Sequence, residues 1–343
     1  MNQNIFYVGL DLGSTVCYQV VMNQSGKIVR SRPFATNEPN LRSAFQGFDG
    51  ELRVHTEAGE LADWVSQVIK PLVKQVVVSH PQSLAWIAKD SRKCDKLDAK
   101  KLADLLRCGL THEVFLPVNQ ARRTFKQLVR HFDEATRAQA KLKAKLKARL
   151  RCLGIIRRDA AVFGKAEREQ IFGQINDQFL RQMFQGLYST LDALLEEMKT
   201  AKQLMLEAAR QFPEVKLLQT APGVGVIGAC RFVARVQNPR RFSNKRKLWR
   251  YCRLGVAHRS SDGKLLAHPR LDRNGCGALK DVSRKAFEAA MRCGKDNSFK
   301  RSFKKSLAAT HDKIHARLST QRKIVACLRA MWLANKPYRT DLP

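Results

Sequence analysis

The sequence predicts a chain of mixed class, in which an α/β domain is followed by an all-α remainder. Three observations predict it. Short apolar segments with strand spacing fill residues 5–35, strand-like and helix-like segments alternate from there to about residue 110, and proline-free helical periodicity runs from 118 to 212. With 343 residues, of which 44% are hydrophobic, the chain is long enough for two or three folded domains.

Alternating apolar residues and a polar turn at Asn23 to Gly26 predict the first strands. Three consecutive antiparallel strands are expected at residues 5–12, 15–22 and 27–35. A helix over 38–48, a strand over 51–59, a helix over 60–72, a strand over 73–81 and a helix over 95–109 are expected to follow. This is the element order of a ribonuclease-H-like mixed sheet with helices, and the domain is expected to span residues 1–112.

A long helical hairpin of the coiled-coil kind is predicted for residues 113–212. Within it, Leu142, Leu146 and Leu150 form one apolar stripe, while Lys or Arg occupies every odd position from 141 to 151. Such a stripe needs a partner helix. The chain is expected to reverse near Gly154 and Gly164.

Residues 213–343 are predicted to form a mainly helical domain that contacts nucleic acid. A Pro-Gly-x-Gly turn at 222–225 opens a helix and resembles a helix-hairpin-helix element, whose backbone N–H groups meet a phosphate. A purely structural turn is the alternative. The basic run 238–256 follows, interleaved with aromatic residues. The predicted nucleic-acid-binding residues are Gly223, Gly225, Arg240, Arg241, Lys245, Arg246, Lys247, Arg250, Arg259 and Lys264.

The charge of the chain predicts a polyanionic partner. The sequence has 63 Lys and Arg against 30 Asp and Glu, a formal net charge of +33. Residues 1–110 hold 14 of the basic and 11 of the acidic residues, so the excess lies in the remainder. This division favours a metal-binding head of nearly balanced charge that a strongly basic remainder positions on nucleic acid.

The cysteines and the hydropathy predict a cytoplasmic protein, and the predicted binding of nucleic acid adds the expectation that it associates with the bacterial nucleoid. Nine cysteines are scattered without any Cys-x-x-Cys pair, which argues against a zinc ribbon or a disulfide framework. No apolar run approaches the roughly 20 residues that a membrane helix needs, so no membrane partner is expected.

Asp11 is the first candidate site residue, because a carboxylate on an apolar strand is costly to bury unless it is paired or binds a cation. Actin-like kinases and ATPases place Asp there to cradle phosphate, and ribonuclease-H-like nucleases place it there to hold Mg²⁺. The kinase hypothesis requires a second phosphate loop, which the sequence lacks.

The nuclease hypothesis requires further carboxylates on neighbouring elements, and the sequence supplies them. Glu57 ends the fourth strand, and Asp95 and Asp98 stand three residues apart at a helix start. Four carboxylates can hold one or two Mg²⁺ ions for phosphoryl transfer. The alternative for Asp95 and Asp98 is helix capping alone.

Five stretches together resemble the insertion-sequence transposases of family 110 over nearly the whole chain. They are GLDLGS, TEAGELADW, HPQSLAWIAKDSRKCDKLDAKKLADLL, APGVGVIGACRFVARVQNPRRFSNKRKLWRYCRLGV and RSSDGK. The resemblance implies an N-terminal domain related to Holliday-junction resolvases (RuvC-like), then a coiled coil, then a transposase domain with a catalytic serine. Its Asp-Glu-Asp-Asp quartet falls on the same four residues, Asp11, Glu57, Asp95 and Asp98.

The family's serine corresponds best to Ser261, with Ser260 as the neighbouring alternative. The segment LGVAHRSSDGK departs from the family pattern, since it lacks a proline, is about two residues short and has Asp262 where the pattern has glycine. Arg259 and Lys264 can supply positive charge around the reacting phosphate. The sequence identifies no general base for the serine.

The resemblance also implies an activity and partners. The protein is expected to excise and insert a mobile element by Mg²⁺-dependent strand cleavage and rejoining through a phosphoserine link. Its partners would be double-stranded DNA at the element ends and target, a structured non-coding (bridge) RNA, and further copies of itself in dimers or tetramers whose composite sites mix subunits. The alternatives are a Mg²⁺-dependent resolvase-like nuclease that does not use the serine, and an inactive nucleic-acid-binding derivative.

Overall fold

The computed structural model describes residues 4–84, 94–157, 160–257, 260–262, 264–265 and 270–339. The chain divides into two compact units, Met1–Leu116 and Pro117–Pro343. The first unit carries the sheet. The second unit is mainly helical, so the predicted fold class is confirmed.

The first unit is a five-stranded mixed sheet with helices. Its elements are β1 Ile5–Leu12, β2 Val16–Met22, β3 Ile28–Ala35, α1 Glu38–Ala44, β4 Glu51–Glu57, α2 Ala62–Ile69, β5 Gln75–Ser79 and α3 Asp95–Arg107. The strand order is β3-β2-β1-β4-β5. The first three strands are antiparallel, whereas β1, β4 and β5 are parallel, as the predicted element order requires.

Alternation along the strands assigns each sheet face to its own layer of helices. Val8, Leu10 and Val54 belong to the core that includes buried residues of α1 and α2. On the opposite face, Val20 and Met22 of β2 pack with buried alanines of α3. Because successive strand residues point to opposite faces, Gly9 and Asp11 of β1 lie on the α3 side.

The second unit begins with a long antiparallel helix pair, α4 Gln120–Cys152 and α6 Gln178–Ala209, joined through the shorter α5 Lys165–Gly173. Leu142, Leu146 and Leu150 are buried with Tyr188 and Leu191 of α6. The apolar stripe therefore finds its partner within the same chain, and it provides no argument for oligomer assembly.

Six further helices pack around a large apolar core that includes Phe232, Leu248, Phe299 and Leu328. They are α7 Pro213–Leu218, α8 Val226–Val236, α9 Lys245–Tyr251, α10 Gly277–Arg292, α11 Ser298–Thr310 and α12 Lys313–Ala334. Two small ladders pair β6 Val256–Ala257 with β9 Arg270–Leu271 and β7 Ser260–Ser261 with β8 Lys264–Leu265. Within the described ranges, no helix is both long and apolar enough to cross a membrane.

Candidate metal centre and serine hairpin

Two of the four predicted carboxylates lie at one edge of the sheet. Asp11 is near the end of β1 and Glu57 is the last residue of β4. These strands are parallel, and Leu10 pairs with Thr56, so Asp11 and Glu57 are the next neighbouring positions along them. Adjacent strands are about 4.8 Å apart, and paired positions point to the same face. Both carboxylates therefore lie on the α3 side of the sheet.

The other two carboxylates are in the first turn of α3. Asp95 is exposed and Asp98 is half-buried. The helix crosses β1 at Gly9, where an added Cβ would lie 1.8 Å from the backbone oxygen of Ala99 and 2.6 Å from the nitrogen of Ala103. Only glycine admits this close approach. Gly9 thus sets how near the first turn of α3 comes to the end of β1.

The pKa of Asp11 reflects both its burial and the three other carboxylates of the set. Burial raises the pKa of Asp11 above its usual value, and the negative charges of Asp95, Asp98 and Glu57 raise it further. A hydrogen bond from the backbone of Leu12 opposes the shift. Carboxylates held together in this way repel one another, and a cation between them removes the repulsion.

The donor set fits a hard divalent cation. All four side chains offer carboxylate oxygens, the ligands that Mg²⁺ and related ions prefer. Among the described residues, no group of three or more His, Cys, Asp or Glu side chains already has the close spacing of a formed metal site. The described geometry therefore brings the charges of Asp95, Asp98 and Glu57 near enough to add to the effect of burial on the pKa of Asp11.

His55 links the strand that carries Glu57 to the helix that carries Asp95 and Asp98. Its side chain is fully buried on the α3 face of β4. One ring nitrogen, Nδ1, is 2.8 Å from the backbone oxygen of Leu102 in α3, and Nε2 is 2.8 Å from the hydroxyl of Ser79 at the end of β5. A carbonyl can only accept, so Nδ1 carries the proton and Nε2 accepts from Ser79.

Acidification is expected to destabilise the protein through His55. Burial lowers the pKa of His55 below its ordinary value of 6.5. The unfolded chain therefore binds a proton at a higher pH than the folded chain does, and stability falls as the pH drops below about 6.5, until the lower folded pKa is passed. Melting temperatures between about pH 7.5 and pH 5 test this prediction. His55→Asn should flatten the slope, whereas the exposed control His112→Asn should not; equal slopes in all three proteins would contradict it.

The predicted serine lies at the tip of a small hairpin. Ser261 is exposed and pairs with Lys264 across the β7–β8 ladder, which leaves a two-residue connection. Asp262 begins that connection with a φ of 50°, in the left-handed region. Aspartate is among the few residues besides glycine that adopt this conformation readily. Asp262 therefore suits a position where the family pattern has glycine.

A buried carboxylate, Asp272, forms an ion pair with the exposed Arg250 next to the β6–β9 ladder. Asp272 follows β9 directly, and its carboxylate accepts from Arg250 Nε at 2.9 Å and from the backbone of Asn274 at 2.9 Å. These hydrogen bonds hold the pKa of Asp272 below its usual value. Arg250, predicted to bind nucleic acid, thus has a partner within the chain, although its side chain remains mostly exposed.

The other residues predicted to bind nucleic acid differ in how exposed their side chains are. Arg241 is half-buried, and its guanidinium lies over the rings of Phe242 and Tyr251 at 4.6 and 4.7 Å. Arg259 lies outside the described residues, and of Lys264 only the backbone is described. Besides Arg250 and Gly225, the exposed members of the set are Arg240, Lys245, Arg246 and Lys247. They cluster at α9 and the turn before it.

The two glycines of the Pro-Gly-x-Gly turn have different environments. A Cβ on Gly223 would lie 2.1 Å from the backbone oxygen of Ala286, and its φ is 79°, so this glycine lets the turn pack against α10. Gly225 is exposed, caps the N-terminus of α8, and would place a Cβ in open space. Gly225 is therefore the more accessible of the two to a phosphate.

Sequence reasoning missed three residues that organise these sites. His55 could have been found by the argument used for Asp11, since it is a polar residue on an apolar strand. The role of Gly9 depends on a helix about ninety positions later, and no local pattern indicates it. Asp133 of α4 accepts from Arg231 at 2.6 Å and from Arg235, and so ties α8 to α4.

Comparisons with protein families match both units. Residues 8–154, which include the four carboxylates, match a DEDD-type IS110 family model described as a transposase. Residues 215–303, which include the serine hairpin, match a family model described as transposase IS116/IS110/IS902 family. No curated protein matches the chain.

Proposed function

The chain belongs to the IS110 family of transposases, DNA recombinases that move insertion sequences, and on that premise we propose a chemistry for its two sites. Asp11, Glu57, Asp95 and Asp98 hold one or two Mg²⁺ ions. Ser261 attacks a DNA phosphate and forms a transient phosphoserine link. The observation that carries the proposal is the placement of four carboxylates on three separate elements around Asp11, whose pKa is raised by burial and by the charges of the other three.

The chain's own residues divide the work at the carboxylate site. Asp11 and Glu57 extend from neighbouring strands, and Asp95 and Asp98 extend from the first turn of α3. When bound, Mg²⁺ supplies polarisation of a phosphate oxygen and neutralises charge on the leaving oxygen. Gly9 and His55 keep α3 at a fixed distance from the strands, so the four ligands are oriented before the ion binds.

The serine step replaces one phosphorus–oxygen bond with another. The Ser261 hydroxyl displaces one deoxyribose oxygen from phosphorus, so an Oγ–P bond forms as a P–O bond breaks, and the hydroxyl proton ends on the released oxygen. Attack by a free hydroxyl of another DNA end reverses the exchange and restores both serine and phosphodiester. Exposure of Ser261 at a hairpin tip gives a DNA backbone access to it.

We assign the exposed cluster Arg240, Lys245, Arg246 and Lys247, together with the α8 N-terminus at Gly225, to binding of the DNA backbone.

Family resemblance supports two further parts of the proposal. A structured non-coding RNA pairs with donor and target DNA and so selects the sequences, and the protein acts as a dimer or tetramer. Expression with the native flanking DNA, purification at high salt and sequencing of the retained RNA tests the guide: a single discrete flank-encoded species is expected. Heterogeneous RNA that salt removes would contradict it.

Ser261→Ala is expected to abolish the covalent protein–DNA adduct and strand exchange, while DNA binding persists. Without the hydroxyl, no Oγ–P bond can form. The measurement is a denaturing gel of labelled DNA after incubation with protein and Mg²⁺. Ser260→Ala is the matched control and should retain the adduct. If Ser261→Ala still cleaves, the resolvase-like nuclease becomes the better function; if Ser260→Ala alone loses the adduct, the nucleophile is Ser260.

A further inference from the structure

A large groove in the second unit is separate from both proposed sites. Its volume is about 940 Å³, and it lies between α9, α11, α12 and the segment Lys336–Arg339. This is near the upper end of the roughly 300–1,000 Å³ of pockets that enclose small molecules. None of the four carboxylates and no residue of the serine hairpin lines it.

The floor of the groove is apolar, and hydrogen bonds fix two of its aromatic side chains. Trp249, Ala326 and Tyr338, all partly exposed, contribute aliphatic and aromatic surface to it. Trp249 is fixed by its indole N–H, which donates to the backbone oxygen of Arg322 at 2.8 Å. Tyr338 is fixed by a hydrogen bond of 2.7 Å between its hydroxyl and that of Ser298. A flat apolar ligand would therefore meet a preformed surface.

The charged side chains that line the groove are all positive. Its basic residues are Lys245, Arg322, Lys323, Arg329, Lys336 and Arg339. Among the described residues that line it, none is Asp or Glu. Arg322 and Arg329 direct hydrogen bonds to the backbone oxygens of Leu254 and Phe242, which carry no full negative charge. An anionic group at the rim would compensate this concentration of positive charge.

Two observations on Arg322 and Arg329 also favour an anionic ligand. Burial lowers the pKa of Arg322, which means that its charge is poorly solvated. The Nε of Arg329 is buried and has no hydrogen-bond partner among the described residues. Each guanidinium donates through one nitrogen to a backbone oxygen, which leaves its other N–H groups for an anion.

We propose that this groove binds an unpaired nucleotide of single-stranded DNA, with the base on the apolar floor and its phosphates at the basic rim. An apolar floor beneath a cationic rim matches a nucleotide, which joins a planar base to a charged backbone. A duplex keeps its bases stacked inside and cannot present one to the floor. DNA is the partner that membership of the transposase family implies.

The test compares two single strands of equal length and charge on the full-length protein. One is an oligothymidine of about twelve nucleotides, and the other is an abasic strand with the same number of phosphates. Fluorescence anisotropy at moderate salt, without divalent cation, gives both affinities. Because stacking of a base on an aromatic surface strengthens binding, the oligothymidine is expected to bind about tenfold more tightly. The result does not depend on cleavage chemistry, so it fails or holds independently of the proposed function.

Ala330→Leu covers part of the apolar floor without removing any charge, since Ala330 is exposed and lines the groove, and leucine offers no ring for a base to stack on. This variant should lose the preference for the oligothymidine and keep its affinity for the abasic strand. Ala309→Leu is the matched control on the exposed surface of α11, outside the groove, and should behave as the wild type. Ala334→Leu, at the end of α12, provides a second filling variant should Ala330→Leu fail to fold.

Three outcomes would overturn the proposal. A wild-type protein without preference for bases would show that the floor does not receive one. A preference that survives in both filling variants would place base binding elsewhere. A tighter, groove-dependent preference for oligouridine, or a change of oligomeric state on filling the groove, would make the occupant RNA or a second copy of the chain.

Discussion

Asp11→Asn is expected to slow strand cleavage by roughly a hundredfold to a thousandfold, the order by which enzymes slow when a group that stabilises transition-state charge is removed. The amide is nearly isosteric with the carboxylate, so the fold should be retained. It carries no negative charge and binds a hard cation poorly. Cleavage of labelled DNA in the presence of Mg²⁺ measures the loss.

The same substitution is expected to raise the melting temperature in metal-free buffer. Because the pKa of Asp11 is raised in the folded protein, the fold favours the protonated form. The contribution of Asp11 to stability is present at low pH and is lost as the pH rises through the folded pKa, so at neutral pH its ionised form costs stability. Asparagine removes that cost. A functional site that sacrifices stability in this way is common in enzymes.

Asp49→Asn is the control, because Asp49 is an exposed carboxylate of the same unit outside the quartet. It should leave cleavage and melting temperature nearly unchanged. Adding Mg²⁺ should raise the melting temperature of the wild type and of Asp49→Asn, with a smaller effect on Asp11→Asn. An Asp11→Asn protein that cleaves normally, or that melts below the wild type without metal, would refute the assignment of Asp11.

Gly9→Ala is expected to destabilise the first unit strongly. An alanine methyl would lie 1.8 Å from the backbone oxygen of Ala99, and backbone of a packed helix cannot yield as a flexible side chain does. Overpacking costs about 1–3 kcal/mol and occasionally more, and this contact belongs at the upper end. For a unit of this size the melting temperature should fall by about 10 °C or more. Thermal unfolding followed by circular dichroism measures it.

The effect can come only from the contact with α3, because alanine in a strand is otherwise no worse than glycine. Gly59→Ala is the matched control: a Cβ there meets nothing within 4 Å. This control should change the free energy of unfolding by about 1 kcal/mol at most. Any Gly9→Ala protein that folds should also bind divalent cations less tightly, since the displaced helix carries Asp95 and Asp98. Equal stability of the two variants would show that α3 does not approach β1 this closely.

The sequence by itself determined the order and type of the elements of the first unit. Alternation and turn signals are local, so the strands at 5–12, 16–22 and 28–35 could be predicted within a residue or two. Asp11 could be proposed as a site residue for a similar reason, since an acid on an apolar strand conflicts with its neighbours. Each of these signals is contained in a few consecutive residues.

The tertiary structure alone decided which distant residues meet. It paired the stripe of Leu142 with α6 of the same chain, placed His55 between α3 and β5, and pressed Gly9 against Ala99. It also assembled the groove from three helices and a terminal segment. These contacts join positions tens of residues apart, and their energies depend on the distance between elements. A linear pattern contains no information on that distance.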